Sequence, residues 1–163
     1  MAQFDVAQPV RRVEDPRLLK GAGSYTDDGT LPGVLYGVVL RSPHAMARIN
    51  ATDTAAARAV PGVRAVYTYA DTKADGIGLL PCLAKLTNRD GSPQVSPDRP
   101  VLANGMVRHV GEPVAFIVGE TLQAARDGAE AVMVDYDVLP SVIGTDDAMG
   151  EGRPLVWDAA PRN

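Results

Sequence analysis

The side chains able to ligate a metal or attack a substrate are few and scattered. His44, His109 and Cys82 are the soft donors, and none stands at the close spacing that a metal site uses. Both histidines read as structural or surface groups. Cys82 lies in an apolar stretch with Lys85 as its only neighbouring cation, so it reads as a packed thiol rather than an activated one. Gly21-Ala22-Gly23-Ser24 opens like a phosphate cradle. It lacks a third glycine, a preceding strand and a following Lys-Ser/Thr pair, and reads as a turn. No Gly-x-Ser-x-Gly elbow occurs. Three carboxylate pairs remain: Asp27-Asp28, Asp135/Asp137 and Asp146-Asp147. Asp135 and Asp137 fall on the outward face of an alternating strand, and Asp146 or Asp147 suits a helix N-terminus, where the dipole favours negative charge. None has a neighbour that would tune it into a general base. The residues alone therefore define no active site: no catalytic, cofactor-binding or metal-binding residue is expected in this chain.

The elements that would position any site centre on 107–140. After the turn Gly111-Glu112-Pro113, the run Val114 to Val118 suits a buried strand. Thr121 to about Ala131 follows as a helix with Leu122, Ala125, Ala129 and Val132 at helical spacing. Val132 to Val138 alternates, with Val132, Val134, Tyr136 and Val138 on the buried side. Strand, helix, strand with short connections predicts a βαβ unit whose strands lie parallel in one sheet. A second such unit is expected upstream. Val34 to Arg41 reads as a central strand and Ala45 to Ile49 as a short strand or bulge. Thr54 to Val60 is a short helix capped by Asp53 or Thr54, and Val63 to Tyr69 is a further strand. Ser141-Val142-Ile143 is a candidate edge strand and Thr145 to Met149 a helical turn.

Residues 1–30, punctuated by Pro9, Pro16, Gly21, Gly23 and Gly29, read as an extended arm. Residues 31–150 form the main domain, and 151–163 a tail with the only tryptophan, Trp157, which either packs back on the body or docks on a neighbour. Within the main domain, 72–100 is a long loop rich in Pro and Gly around an apolar patch, Ile77, Leu79, Leu80, Leu83 and Leu86. Loops of this length without periodicity are uncommon in compact domains. It is either a surface insertion whose leucines plug a local gap or the lining of a cleft.

The 163 residues suffice for one domain with its own core, and 45% hydrophobic content excludes a disordered chain. A net charge of −4 without a basic cluster, and only 5% aromatics, argue against nucleic-acid binding. One cysteine allows no intrachain disulfide, which fits a cytoplasmic protein. No signal peptide is evident, and the longest apolar run is too short to span a bilayer, so no membrane association is expected.

Several stretches, in order, resemble a known family. They are Val10-Arg11-Arg12-Val13-Glu14-Asp15-Pro16-Arg17-Leu18-Leu19, Gly21-x-Gly23-x-Tyr25-x-Asp27-Asp28, Leu31-Pro32-Gly33 and Arg41-Ser42-Pro43-His44-Ala45-x-Ala47-Arg48-Ile49. Pro61-Gly62-Val63 with Asp71, Val110-Gly111-Glu112-Pro113-Val114-Ala115 and Val134-Asp135-Tyr136-x-x-Leu139-Pro140 complete the set. Together these resemble the N-terminal part of the molybdenum-binding large subunit of the xanthine dehydrogenase, aldehyde oxidase and carbon monoxide dehydrogenase family. Met46 stands where relatives often carry a second histidine.

The resemblance implies an α+β (mixed α/β) fold, the α/β hammerhead, with two strand-helix-strand units around a mixed sheet. It implies a non-catalytic portion of a molybdenum hydroxylase, either an excised fragment or a subunit of a split enzyme. The molybdopterin-type molybdenum cofactor would lie in other domains, and iron–sulfur clusters and FAD on partner chains or domains. It also implies that 73–100 reaches a substrate funnel, with Leu79, Leu80, Pro81 and Leu83 as its apolar lining. The substrate would be a small molecule not identifiable from this segment. The alternative is a stand-alone binding or scaffold protein that keeps the fold without molybdenum chemistry. A hydroxylase portion should expose an apolar face, whereas a scaffold should be polar all round.

Overall fold

The computed structural model describes residues 12–29 and 31–160. Residues 1–11 of the expected arm, Thr30 and the last three residues lie outside them. The chain divides into two units, Met1–Val34 and Leu35–Asn163. The first holds a short helix, α1 (Asp15–Leu19), and a 3₁₀ turn at Thr26–Asp28, with no buried residue in α1. The phosphate-cradle look-alike is the end of α1. Gly21 adopts φ +69°, its amide donates to Leu18 O, and that of Ala22 donates to Arg17 O, which satisfies two terminal carbonyls.

The second unit holds two three-stranded sheets. The first has the order β1 (Tyr36–Arg41), β5 (Pro113–Gly119), β3 (Val63–Tyr67). The second has the order β4 (Met106–Val107), β2 (Ala47–Asp53), β6 (Met133–Val138). All four ladders are antiparallel. The α+β class stands, but the expected parallel pairing within each strand-helix-strand unit does not. The unit β2–α2–β3, with α2 at Ala55–Ala59, sends one strand to each sheet, and so does β5–α4–β6, with α4 at Leu122–Glu130. The reason is local. β1 and β3 occupy both edges of β5, so β6 finds no free edge there and pairs with β2. For the same reason β1, expected as a central strand, is an edge strand.

The first sheet buries one face against α4. Ala115 and Ile117 on β5 and Val66 on β3 pack with Ala57, Ala125 and Ala129, and Val38 and Leu40 join from β1. The helix comes very close. A Cβ at Gly119 would stand 2.7 Å from Ala125 N, and one at Gly128 would stand 2.8 Å from Val63 Cγ2. This selects the buried positions of α4, which are Ala124, Ala125, Gly128 and Ala129. Leu122, expected on that face, is exposed because only the smallest side chains fit beneath. Thr121 caps α4, its Oγ1 accepting from Ala124 N at 3.0 Å. A second core, of Ala47, Ala103, Val107 and Val114 with Ile49 and Tyr136, lies under the second sheet, and Val134 touches both cores.

Two further differences are local. Val63 to Tyr69 ends as a strand at Tyr67, and α3 (Tyr69–Ala74) begins after Thr68. Ser141 to Ile143 forms no strand. The tail folds back at Trp157, whose ring lies 4.0 Å beneath the Arg108 guanidinium, while Arg108 Nε donates to Val156 O at 3.2 Å. Such a stack contributes roughly 0.5–2 kcal/mol.

Gly119→Ala is expected to destabilise the fold by about 1–3 kcal/mol, because the new methyl meets helix backbone that cannot rotate away. Urea unfolding checks this, and a midpoint equal to that of the parent chain would contradict the close approach.

Candidate functional site

Two features are built where function would need them: a knot of turns and an apolar cavity. The knot joins three motifs far apart in sequence. Ser42 N donates to Glu112 O at 2.9 Å, Gly111 N donates to Ser42 O at 2.8 Å, and Arg41 Nη1 donates to Gly111 O at 2.9 Å. Gly111 supplies the φ of +85° that this turn needs. The buried Ser42 hydroxyl accepts from His44 N at 3.0 Å and donates to His44 O at 3.2 Å. The His44 ring sits edge-on to Tyr136, with centroids 4.9 Å apart. Burial pushes the Tyr136 hydroxyl up from its ordinary value, opposed by its hydrogen bond with Ser42. Ser42 thus serves the backbone of His44, and His44 packs on a tyrosine: the arrangement is that of a structural clasp. His109 is exposed, its Nδ1 3.0 Å from Val110 O.

The cavity, of about 510 Å³, lies on the face of the first sheet opposite α4. Its floor is a cross-strand row, Val39–Phe116–Tyr67, one residue from each strand. Phe116 lies over Gly37, where a Cβ would come within 2.5 Å of the ring, so the glycine makes room for the phenyl group. Ile77, Val101 and Leu102 form the walls. Thr72 and Asp75, both from the α3 region, and the Tyr67 hydroxyl are the polar groups, and Thr72 Oγ1 already donates to Tyr69 O at 3.0 Å. A space of this size and lining could take an apolar molecule or an apolar segment. It offers no donor set for a pterin or a metal. Among the described residues no three His, Cys, Asp or Glu side chains come together in a way that could hold a metal ion.

The four residues expected to line a channel lie outside this cavity. Leu79, Leu80, Pro81 and Leu83 belong to an arm that folds back on itself. Leu80 N donates to Arg99 O at 2.7 Å and Arg99 N to Leu80 O at 3.1 Å, while Asn88 N donates to Ser92 O at the tip. Every residue from 73 to 96 is exposed, and Leu83 is 89% exposed. Cys82, expected to be packed, is exposed too. The leucines therefore plug no gap in this chain. The arm and the cavity share Ile77. Sequence reading missed Val39, Phe116 and Tyr67, because Val114 to Val118 looked buried on both faces. The available signal was an aromatic residue flanked by small and branched ones, with Gly37 on a neighbouring strand.

The base of this region is held by α3. Thr68 Oγ1 and Thr68 N each donate to Asp71 Oδ2 at 2.7 Å. These hydrogen bonds, hydroxyl first and then amide, hold the Asp71 carboxyl below its ordinary value, with Arg58 adding and burial opposing.

Comparison with known proteins identifies the class. The family described as "Aldehyde oxidase and xanthine dehydrogenase, a/b hammerhead domain" matches residues 20–140, and the chain belongs to this family. It is 42% identical over 146 residues to the carbon monoxide dehydrogenase large chain of Afipia carboxidovorans, covering 90% of this chain and 17% of that one. It is 35% identical to the nicotine 6-hydroxylase large subunit of Paenarthrobacter nicotinovorans, covering 97% of this chain and 18% of that one. Among solved structures, quinoline 2-oxidoreductase from Pseudomonas putida 86 matches with a TM-score of 0.80 at 38% identity, over 94% of this chain and 19% of that one. The chain thus spans about a fifth of the length of these relatives. No helix among the described residues is long and apolar enough to cross a membrane.

Asp71→Asn is expected to cost about 1 kcal/mol at neutral pH, the scale of a lost helix cap. Because the folded-state value is depressed, the Asp71 contribution is fully present above the ordinary 3.8 and is lost as pH falls through the lower folded value. The difference between parent and variant should therefore shrink in acid. Urea titrations at a series of pH values measure it, and a difference constant into acid would contradict the assignment.

Proposed function

We propose that this chain is the non-catalytic hammerhead portion of a molybdenum hydroxylase large subunit, shaping the substrate funnel and the subunit interface. The observation that carries this reading is the exposed apolar arm. Leu79, Leu80, Leu83 and Leu86 lie in water with half or more of their surface accessible. Apolar side chains gathered on an ordered arm mark a surface that another body covers. A stand-alone scaffold would carry no such arm, and its surface would be polar all round.

In this reading the cofactor chemistry belongs to the complete enzyme. The molybdopterin-type cofactor supplies the oxidation from domains outside this chain, and iron–sulfur and flavin chains carry electrons, in the cytoplasm. The residues of this chain contribute shape. Leu79, Leu80, Pro81 and Leu83 form the apolar wall past which a small-molecule substrate enters. Family membership and 42% identity to a carbon monoxide dehydrogenase large chain support the class of enzyme.

Affinity capture of the tagged chain from its source cells, with mass spectrometry and metal analysis of the eluate, tests the reading. Large molybdopterin-binding and iron–sulfur chains should co-purify, with molybdenum in proportion. A clean monomer with neither metal nor partners would overturn it. In the assembled enzyme, Leu79→Asp or Leu83→Asp should raise KM by about tenfold while kcat changes by less than about twofold, since the wall touches the entering substrate and not the reacting atoms. Unchanged steady-state kinetics in both variants would remove these leucines from the funnel.

A further inference from the structure

The two sheets of the second unit treat their outward faces in opposite ways. On the second sheet, Arg48, Asp53, Asp135 and Asp137 are exposed, and the register sets Arg48 opposite Asp137. Met133, and Met106 half-buried opposite Arg48, are the large apolar side chains on it. This is a face built for water, with opposite charges paired across strands. On the first sheet, the face away from α4 carries Val39, Phe116 and Tyr67 in one row, with Ile77 beside them, and holds the cavity of about 510 Å³. Tyr67 and Phe116 are each more than a third exposed. An antiparallel sheet tolerates one wet face when that face is polar, and this one is not.

We propose that the bare face of the first sheet seats an apolar segment, carrying one basic side chain, from the part of the large-chain polypeptide that lies outside this chain. The inference rests on the reading that the chain is a portion of a large subunit. Three observations select this occupant. The homologous chain of the matched quinoline 2-oxidoreductase is mostly additional polypeptide, this domain corresponding to 19% of it. The cavity floor and walls are mostly hydrocarbon, with Asp75 as the carboxylate at the edge, and Asp75 makes no ion pair among the described residues. A lysine or arginine on the incoming segment would meet that charge. A second copy is disfavoured, because a two-fold contact through this face would bring two Asp75 rims together. A free small polar ligand is disfavoured too, because Thr72 is already engaged with Tyr69 O and few groups remain to orient it.

Site-specific photocrosslinking in the source cells tests the proposal with the full chain. The photoreactive residue p-benzoylphenylalanine replaces Phe116 in one variant, Tyr67 in a second and Asp135 in a third. Crosslinked peptides are sequenced by mass spectrometry, and circular dichroism checks that each variant is folded. The Phe116 and Tyr67 variants should crosslink to peptides of a molybdenum-hydroxylase large chain outside the hammerhead segment, and the Asp135 variant should not. Asp75→Lys, added to either of the first two, should lower the yield by about tenfold, a change of about 1.4 kcal/mol in affinity. Crosslinks from Phe116 and Tyr67 to a second copy of this chain would overturn the proposal. If only Asp135 reaches large-chain peptides, the face is wrong while the hydroxylase reading stands. If no position reaches them, both fall. An unchanged yield with Asp75→Lys would overturn the basic side chain in the occupant.

Discussion

The contact of α4 with β5 is the constraint on which the second unit depends. Gly119 leaves the strand end bare, and Ala125 backbone fills the space where a side chain would stand. Gly128 does the same one turn later against Val63 and Ile117. A helix this close covers only a narrow strip, and its buried positions must be alanine or glycine. The core it forms is correspondingly lean, with Ile117 and Val66 as the largest fully buried side chains there. Each such side chain contributes roughly 1.5–3 kcal/mol. Exposed ion pairs such as Arg64–Glu120 and Arg153–Asp147 add little to this.

The same contact decides the topology. With α4 on one face and with β1 and β3 on its two edges, β5 has only its other face left. The chain leaves α4 and must find another sheet, so β6 pairs with β2. The second core follows from that crossing, and Val134 stands where the two cores meet. The remaining face of β5 keeps Phe116, for which Gly37 makes room. A sheet filled on one side by the smallest residues is thus lined on the other by an aromatic row and a cavity. The apolar material is distributed toward the outside, and that suits a domain read as one portion of a larger body.

Local chemistry was legible in the sequence where the chain itself supplied the partner. The start of α4 near Thr121, the outward placement of Asp135 and Asp137, the acidic first turn at Asp146 and Asp147, and the strand-helix-strand order were all readable. Sheet membership was not, because a βαβ pattern records which elements follow one another and not which edges are free. The face of Leu122 was misread because helical spacing gives a direction without a distance, and the distance is what excludes leucine beneath α4. Asp71 was noticed only within a family pattern. Its structural reason is the pair of bonds from Thr68, which ends β3 early and starts α3.

The stretches that reveal the family and those that would serve a substrate are different parts of the molecule. Ser42-Pro43-His44, Gly111-Glu112-Pro113 and Asp135-Tyr136 meet in the knot, through Ser42 with Gly111 and Glu112 and through His44 on Tyr136. Such bonds need particular residues: a positive φ at Gly111, a hydroxyl short enough to bridge its own chain at Ser42, a ring at 136. Geometry that strict leaves a readable pattern. The arm imposes no comparable demand, since backbone hydrogen bonds such as those joining Leu80 to Arg99, Leu86 to Gln94 and Asn88 to Ser92 hold it, and its side chains face water. Apolar residues there can change in size and order without disturbing the domain that carries them. The fold is therefore announced by residues that hold turns together, while the proposed channel wall sits on residues the fold does not constrain.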